Sequence, residues 1–194
     1  RIGECYQRLG NAAAAILYYK KAVHEDPLLA KGWLYLTNIY FDQKNYEKAA
    51  YYISKALSID ESDAICWRRY SEIKLKLNFF EEAVKGFEMC LSLKDEDINV
   101  FIALVDVLTF VGEFNAALNT LIKAQKVHKN FAEIEYRFAG LFWVLNKQKF
   151  GIEHLIKAMN IDYDYHIILK ELYPSVYFNE SIQKLISDFK KATE

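Results

Sequence analysis

The chain repeats, at a fixed interval, the pattern first seen in the stretch Ala15-Ile16-Leu17-Tyr18-Tyr19-Lys20-Lys21-Ala22. Each copy has a small residue first, an apolar or aromatic residue four positions later and a small residue three positions after that. The later copies follow at equal steps without insertion or deletion, as Ala49-Ala50-Tyr51-Tyr52-Ile53-Ser54-Lys55-Ala56, Ala83-Val84-Lys85-Gly86-Phe87-Glu88-Met89-Cys90, Ala117-Leu118-Asn119-Thr120-Leu121-Ile122-Lys123-Ala124 and Gly151-Ile152-Glu153-His154-Leu155-Ile156-Lys157-Ala158. This register identifies an internal repeat, which decides the fold.

The remaining part of each unit repeats with the same period. Trp33 and Trp67 are separated by the same interval as Ala15 and Ala49, and Gly3, Thr37 and Ser71 form a file of small residues at that spacing. Apolar residues within a unit recur at helical spacing. The chain has only 7 Gly and 2 Pro, too few turn residues for a fold of many short strands. The sequence therefore predicts two antiparallel helices in each unit.

Two local signals are expected to mark helix starts. Asp26-Pro27 would place an N-cap acceptor and an N1 proline just before Leu28. Asn78 followed three residues later by Glu81 has the spacing of a capping box and would open the second helix of its unit.

A helix-turn-helix unit with a Trp early in its first helix and a small–aromatic–small second helix resembles the tetratricopeptide repeat (TPR). The interval from Ala15 to Ala49 also agrees with the TPR unit, which is about 34 residues long. The first unit matches this family best, at Gly3, Tyr6, Leu9-Gly10, Ala15, Tyr19, Ala22 and Pro27. The resemblance implies an all-α, right-handed α-solenoid of helix-turn-helix repeats. It covers residues 1–165, as a partial repeat at 1–29 and full repeats at 30–63, 64–97, 98–131 and 132–165.

Residues 166–194 depart from the pattern. Pro174 stops a helix that would begin near His166, and Asn179 can cap a last helix after it. In that helix Ile182, Leu185, Ile186 and Phe189 share one face. We expect this helix to cover the open end of the array, as terminal elements of repeat proteins do. A partner-binding or dimer-forming helix is the alternative.

The sequence carries no signature of catalysis, metal binding or membrane insertion. Three separated cysteines (Cys5, Cys66, Cys90) favour buried reduced thiols over disulfides, and the four histidines do not cluster. Neither a nucleotide-binding glycine loop nor a nucleophile motif is present. No apolar run is long enough to cross a membrane. We therefore predict no enzyme activity, no metal, no cofactor and a cytoplasmic location, although the chain starts with Arg1 and a leader upstream is not excluded.

The resemblance also implies a binding groove lined by the first helix of each repeat. The places that face this groove in TPR proteins hold the candidate binding residues, which are Tyr35, Asn38, Arg68, Arg69, Lys76, Asn99, Phe110, Tyr136, Arg137 and Trp143. Basic residues are concentrated in the third unit, so a partner with acidic residues is expected. The alternative is that these arginines are solvated helix charges paired with Glu72 and Asp106. The carboxylate clamp of chaperone-binding TPR proteins is absent in its usual form: counted from the second unit only Asn38 matches it, and counted from the third unit the match is partial, with an acid in the wrong place.

The sequence thus predicts a non-catalytic scaffold that binds a protein or peptide segment. A regulatory TPR segment of a longer enzyme or signalling protein is the alternative. Nucleic-acid binding is not expected, because the net charge is -1 and the aromatic residues are used for packing. The pattern does not define the oligomeric state.

Overall fold

The protein is described by a computed structural model that covers residues 2–193. Over these residues the secondary structure is helical, with no strand. The helices are α1 (Ile2–Arg8), α2 (Ala12–Glu25), α3 (Ala30–Asp42), α4 (Tyr46–Ile59), α5 (Ala64–Lys76), α6 (Phe80–Ser92), α7 (Ile98–Phe110), α8 (Phe114–Val127), α9 (Ala132–Val144), α10 (Gln148–Ile161), a 3-10 helix (Asp164–Ile167), α11 (Ile168–Leu172), α12 (Pro174–Tyr177) and α13 (Glu180–Thr193).

The described residues form two compact units, which divide within α7 between Val107 and Leu108. In the first unit α1 packs on α2, α3 on α4 and α5 on α6, and the pairs are joined by contacts of α2 with α3 and of α4 with α5. In the second unit α9 packs on α10 and on α8. Each unit is therefore built from helix pairs that follow one another along the sequence.

The core contains the files of residues that repeat in the sequence. Ala15, Ala49, Ala83 and Ala117, the small first residues of four copies, have no exposed surface. The apolar residues four positions later are also buried; they are Tyr19, Ile53, Phe87, Leu121 and Leu155. Small residues let the two helices of a pair approach closely, while the larger ones fill the space towards the next helix. The repeat register read from the sequence is thus the register of the core.

Tight turns between the helices of a pair share one conformation. In each turn a single residue has a positive φ, and these residues are Gly10, Lys44, Asn78, Gly112 and Asn146. At Lys44, for example, the Lys44 N–H donates to the Phe41 carbonyl at 2.8 Å and the Asn45 N–H donates to the Tyr40 carbonyl at 2.9 Å. This pair of bonds is the Schellman motif, which satisfies the last carbonyls of the first helix.

The prediction that Asn78 and Glu81 form a capping box is wrong. Asn78 has a φ of 61° and lies in the left-handed position that ends α5, so it is not an N-cap. The N-cap of α6 is Phe79, which makes no side-chain capping bond. In the equivalent turns of the first two helix pairs the capping asparagines are Asn11 and Asn45, one residue further along, where each side chain accepts a backbone N–H.

The prediction that Asp26-Pro27 opens a helix is also wrong. Asp26 is the C-cap of α2, and α3 begins four residues later at Ala30. The Asp26 Oδ1 accepts the Leu28 N–H at 3.1 Å, which closes a turn rather than a helix start. The Pro27 carbonyl accepts the indole N–H of Trp33 at 2.9 Å, so this turn is fixed to the helix that follows it.

The last residues of the second unit fold back on α9. Helices α11 and α12 pack on α9, and Pro174 stands at the first position of α12. Asn179 accepts the Ser181 N–H at 3.0 Å, so the predicted cap before α13 is confirmed. Helix α13 packs on α12 and buries Ile182 and Ile186.

Candidate functional site

The first helices of the first unit lie side by side, and two contacts join them. The Tyr35 hydroxyl on α3 donates to Glu4 Oε1 on α1 at 2.5 Å. The guanidinium of Arg69 on α5 lies 4.5 Å from the centroid of the Phe41 ring on α3. We call the surface that these helices present the first-helix face and define it by five of the predicted residues: Tyr35, Asn38, Arg68, Arg69 and Lys76.

Tyr35 is held in place from two sides. Its ring stacks on that of Tyr19 with centroids 4.9 Å apart, and the Tyr19 hydroxyl donates to Gln7 Oε1 at 3.1 Å. The hydrogen bond to Glu4, helped by partial burial, raises the pKa of Tyr35, and burial followed by the charge of Glu4 raises that of Tyr19 to about 12. Both phenols therefore stay neutral and act as fixed hydrogen-bonding groups at physiological pH.

Arg68 is committed to an internal ion-pair network. Its Nη2 lies 2.7 Å from Asp95 Oδ2 and its Nη1 lies 2.7 Å from Asp97 Oδ2. The expected pairing of these arginines with Glu72 and Asp106 is thus correct only for Arg69, whose Nη1 donates to Glu72 Oε2 at 2.7 Å. Arg68 clamps the turn that precedes α7, a role that the repeat pattern did not reveal.

In the same turn, Asn99 is hydrogen-bonded to the Asp97 carboxylate. Asp97 Oδ1 accepts both the backbone N–H and the side-chain N–H of Asn99 at 2.9 Å. The hydrogen bond from the Asn99 backbone N–H, together with that from the Arg68 guanidinium, lowers the pKa of Asp97. Asn99 therefore orders the start of α7 in this structure and contributes little hydrogen-bonding capacity to the first-helix face.

Three residues of the first-helix face keep hydrogen-bonding or charge capacity. Arg69 donates to Glu72 through Nη1 alone. Lys76 is exposed, and no ion pair within residues 2–193 involves it. Asn38 is half-buried, and its Oδ1 is buried without a hydrogen-bond partner among the described residues. A buried acceptor without a donor is costly, so Asn38 is the residue of this face with an unmet hydrogen bond.

In the second unit, two of the predicted groove residues lie in the interior. Tyr136 is fully buried, and its hydroxyl donates to the Asp162 carbonyl at 2.8 Å. Arg137 is 4 % exposed and lies 2.8 Å from Glu133, which also accepts the Tyr165 hydroxyl at 2.8 Å. The segment after α10 covers both residues, and the resemblance to an open repeat did not anticipate this cover.

The other two predicted residues of the second unit are accessible. Phe110 is 72 % exposed at the end of α7, and Trp143 is partly exposed near the end of α9. Their contribution to partner binding stays a prediction.

The second unit also contains a buried polar cluster that the sequence analysis missed. Glu135, which replaces the Trp of other repeats, contacts Gln125 and lies 2.6 Å from Nδ1 of His154. The His154 ring lies against both Phe138 and Phe142, at centroid distances of 4.7 and 5.3 Å. Burial raises the pKa of Glu135, but the hydrogen bond and charge of His154 outweigh it and leave that pKa below its usual value. The departure from Trp at position 135 was the signal that could have revealed this cluster.

The cysteines offer no activated nucleophile. Cys66 and Cys90 are buried, and desolvation, followed by the charges of Asp63 and Asp95 respectively, raises the pKa of each thiol to about 12. Thiolates are the reactive form, so these thiols are inert at neutral pH. Cys5 is exposed, contrary to the expectation that all three are buried. No group of His, Cys, Asp and Glu side chains within residues 2–193 is arranged to hold a metal ion.

The helix pairs and their repeat register give this chain the fold of tetratricopeptide repeats. Residues 1–27 and 29–63 match the model of the tetratricopeptide repeat family, which confirms the resemblance read from the repeats. No match is found among curated protein sequences. None of the described helices is long and apolar enough to cross a bilayer.

Solved structures extend the fold similarity beyond the matched repeats. MamA is similar with a TM-score of 0.76 and 18% identity, over 85% of this chain and 96% of its own. YrrB, described as a TPR protein with an unusual peptide-binding site, has a TM-score of 0.75 and 18% identity, over 87% of each chain. A fragment of MamA from Desulfovibrio magneticus RS-1 has a TM-score of 0.71 and 15% identity, over 84% of this chain and 92% of its own. At these identities the similarity establishes the fold, and the predicted all-α repeat architecture is confirmed.

Proposed function

We propose that this protein is a non-catalytic scaffold whose first-helix face binds an extended, acidic segment of another protein. The TPR fold is typical of scaffolds for protein–protein interaction, and the inert buried thiols support a role without catalysis. The observation that carries the proposal is the pair of cations on α5, Arg69 and Lys76, of which Arg69 stacks on Phe41 of the neighbouring helix α3.

The spacing of the two cations suggests the form of the ligand. Arg69 and Lys76 are seven residues apart on one helix, so they lie about two turns, or about 10 Å, apart along the same face. An extended chain in the polyproline II conformation advances about 3.1 Å for each residue and presents about every third side chain on the same side. Carboxylates three residues apart on an extended peptide would therefore match the two cations.

Arg69 is pre-positioned for this contact. Stacking on Phe41 and the single bond to Glu72 restrict the guanidinium, which lowers the entropic cost of ordering it on binding. Tyr35 and Asn38 on the neighbouring helix can supply hydrogen bonds to a peptide backbone. Four other predicted residues are not part of this contact: Arg68 and Asn99 order the turn that precedes α7, and Tyr136 and Arg137 are buried inside the second unit.

The experiment is a peptide-binding titration. Fluorescent extended peptides with two glutamates at spacings of two, three and four residues are titrated against the wild type at low and high salt. We expect the three-residue spacing to bind best and the affinity to fall with salt, because exposed charges are screened within about 8–10 Å at physiological ionic strength.

Charge-reversal variants identify the surface. Arg69→Glu and Lys76→Glu should each weaken binding by about 10-fold or more, since an attraction becomes a like-charge repulsion. Lys123→Glu, an equal change on the exposed surface of α8, is the matched control and should leave affinity unchanged. If all three variants and the wild type bind alike at both salt concentrations, the first-helix face is not the binding site.

A further inference from the structure

A second surface of the first unit is a cleft between α2 and α4, lined by residues that the first-helix face does not use. The cleft has a volume of about 390 Å³ and is open to solvent. Helix α2 contributes Lys20 and His24, the start of α3 contributes Trp33, and α4 contributes Tyr51 and Tyr52. We call it the aromatic cleft.

The aromatic wall of the cleft is rigid. Tyr52 stacks on Tyr40 with centroids 5.2 Å apart and on Trp33 at 6.0 Å, and Tyr51 meets its edge at 5.2 Å. The Trp33 indole N–H is fixed by the Pro27 carbonyl. Such a wall is preorganised, so an incoming ring would pack against it with little ordering cost.

Packing of the fold does not account for Tyr51. Its side chain is 57 % exposed, although its neighbour Tyr52 is partly buried. The cleft is not a general product of the repeat either. At the next pair of repeats, one period further along the chain, the counterparts of Lys20, His24, Pro27, Tyr51 and Tyr52 are Ser54, Ser58, Glu61, Lys85 and Gly86. Trp67 is retained there, but both tyrosines and both basic residues on the second helix are lost.

The charge at the cleft favours an anionic ligand. Lys20 and His24 line the cleft one turn apart on α2, and the Lys55 Nζ lies 5.5 Å from the centroid of the Tyr51 ring. No acidic side chain is among the described residues that line the cleft. Glu25 and Asp26 follow His24 directly, so the positive region is small, and these two carboxylates would repel a long polyanion such as RNA.

From this geometry we propose that the aromatic cleft docks a short acidic segment of a partner protein that carries one aromatic side chain. The aromatic ring packs on Tyr51 and Tyr52, and the flanking carboxylates pair with Lys20 and His24. This site shares no residue with the first-helix face, so a partner could occupy the two surfaces independently.

A displayed library of random heptapeptides, selected on the intact chain, tests the proposal. We expect selection of peptides with an aromatic residue next to Asp or Glu. Synthetic copies should bind about tenfold more weakly to Tyr51→Ala and to Lys20→Glu. Tyr51 is largely exposed, and unchanged melting by circular dichroism verifies that each variant is folded.

Controls distinguish binding at the aromatic cleft from binding at the first-helix face and from RNA binding. Lys85→Ala, at the counterpart of Tyr51, and Arg69→Glu, on the first-helix face, should leave the affinity of the selected peptides unchanged. A selection without an acidic and aromatic consensus overturns the proposal, as does a consensus insensitive to Tyr51→Ala. Binding of a short fluorescent oligouridine that Tyr51→Ala abolishes would overturn it in favour of RNA.

Discussion

The contact between Gly140 and Tyr173 predicts that Gly140→Ala destabilises the wild type but stabilises a variant that lacks the Tyr173 ring. A Cβ built on Gly140 would lie 2.2 Å from Cδ2 and 2.4 Å from Cε2 of the Tyr173 ring, far inside van der Waals contact. Tyr173 is 5 % exposed, so the ring has little room to move away. Overpacking of this kind costs about 1–3 kcal/mol.

Helix propensity acts in the opposite direction at the same residue. Gly140 lies inside α9, where replacing Gly by Ala is worth about 0.8–1 kcal/mol. Gly140→Ala alone should therefore lower the free energy of unfolding by up to about 2 kcal/mol. Tyr173→Ala alone should cost about 3–5 kcal/mol, as for other buried aromatic residues. In the Tyr173→Ala background the clash is gone, and Gly140→Ala should be stabilising.

Urea unfolding of the four proteins in this cycle measures the effect. Trp143 is the only tryptophan after residue 107, so its fluorescence reports on the second unit when Trp33 and Trp67 are Phe in every protein. An equal loss of stability from Gly140→Ala in both backgrounds would refute the reasoning, because it would mean that the Tyr173 ring does not occupy the space beside Gly140.

Three further substitutions and one truncation test other parts of the fold. Ala83→Leu should lower the free energy of unfolding by about 1–3 kcal/mol, because Ala83 is completely buried between α5 and α6; an unchanged melting temperature would argue against the assigned register. Asn45→Ala should cost about 1 kcal/mol as a lost N-cap, whereas Asn78→Gly should be neutral or stabilising because the position is left-handed, and urea denaturation of both variants distinguishes a cap from a turn residue. Truncation before Asn179 should expose the apolar surface that α13 covers and cause aggregation or fraying of the second unit; gel filtration that shows a stable monomer formed from a dimer would instead make α13 an interface.

The periodic part of the structure was predictable because each repeat meets nearly the same packing problem. A small residue at Ala15 and again at Ala49 lets paired helices approach, and the buried ring of Tyr19 fills the space to the next helix. Such files can be read directly from a single sequence. The wrong predictions concern residues whose role changes when a helix end moves by one residue. Asn78, for example, is an N-cap or a left-handed turn residue according to where the first helix of the pair ends.

The candidate surface was harder to predict because its residues depend on non-repeating neighbours. Arg68 is occupied by Asp95 and Asp97, which lie in a turn whose path the repeat pattern does not specify. Tyr136 and Arg137 are covered because the segment after α10 folds back on α9, and that segment lies outside the repeats. Position in a repeat therefore indicates which helix face a residue occupies, but not whether another part of the chain already covers it.

The recurring left-handed turn has a consequence for how such a chain can evolve. Each turn depends on one backbone conformation at equivalent places such as Lys44 and Asn78, and the residues there are not restricted to glycine. Loss of residues 45–78 would join Lys44 directly to Phe79 and would leave a left-handed residue followed by the start of a second helix. Recombination between such points would shorten or lengthen the array by one whole repeat and would leave the conformation of the remaining turns unchanged.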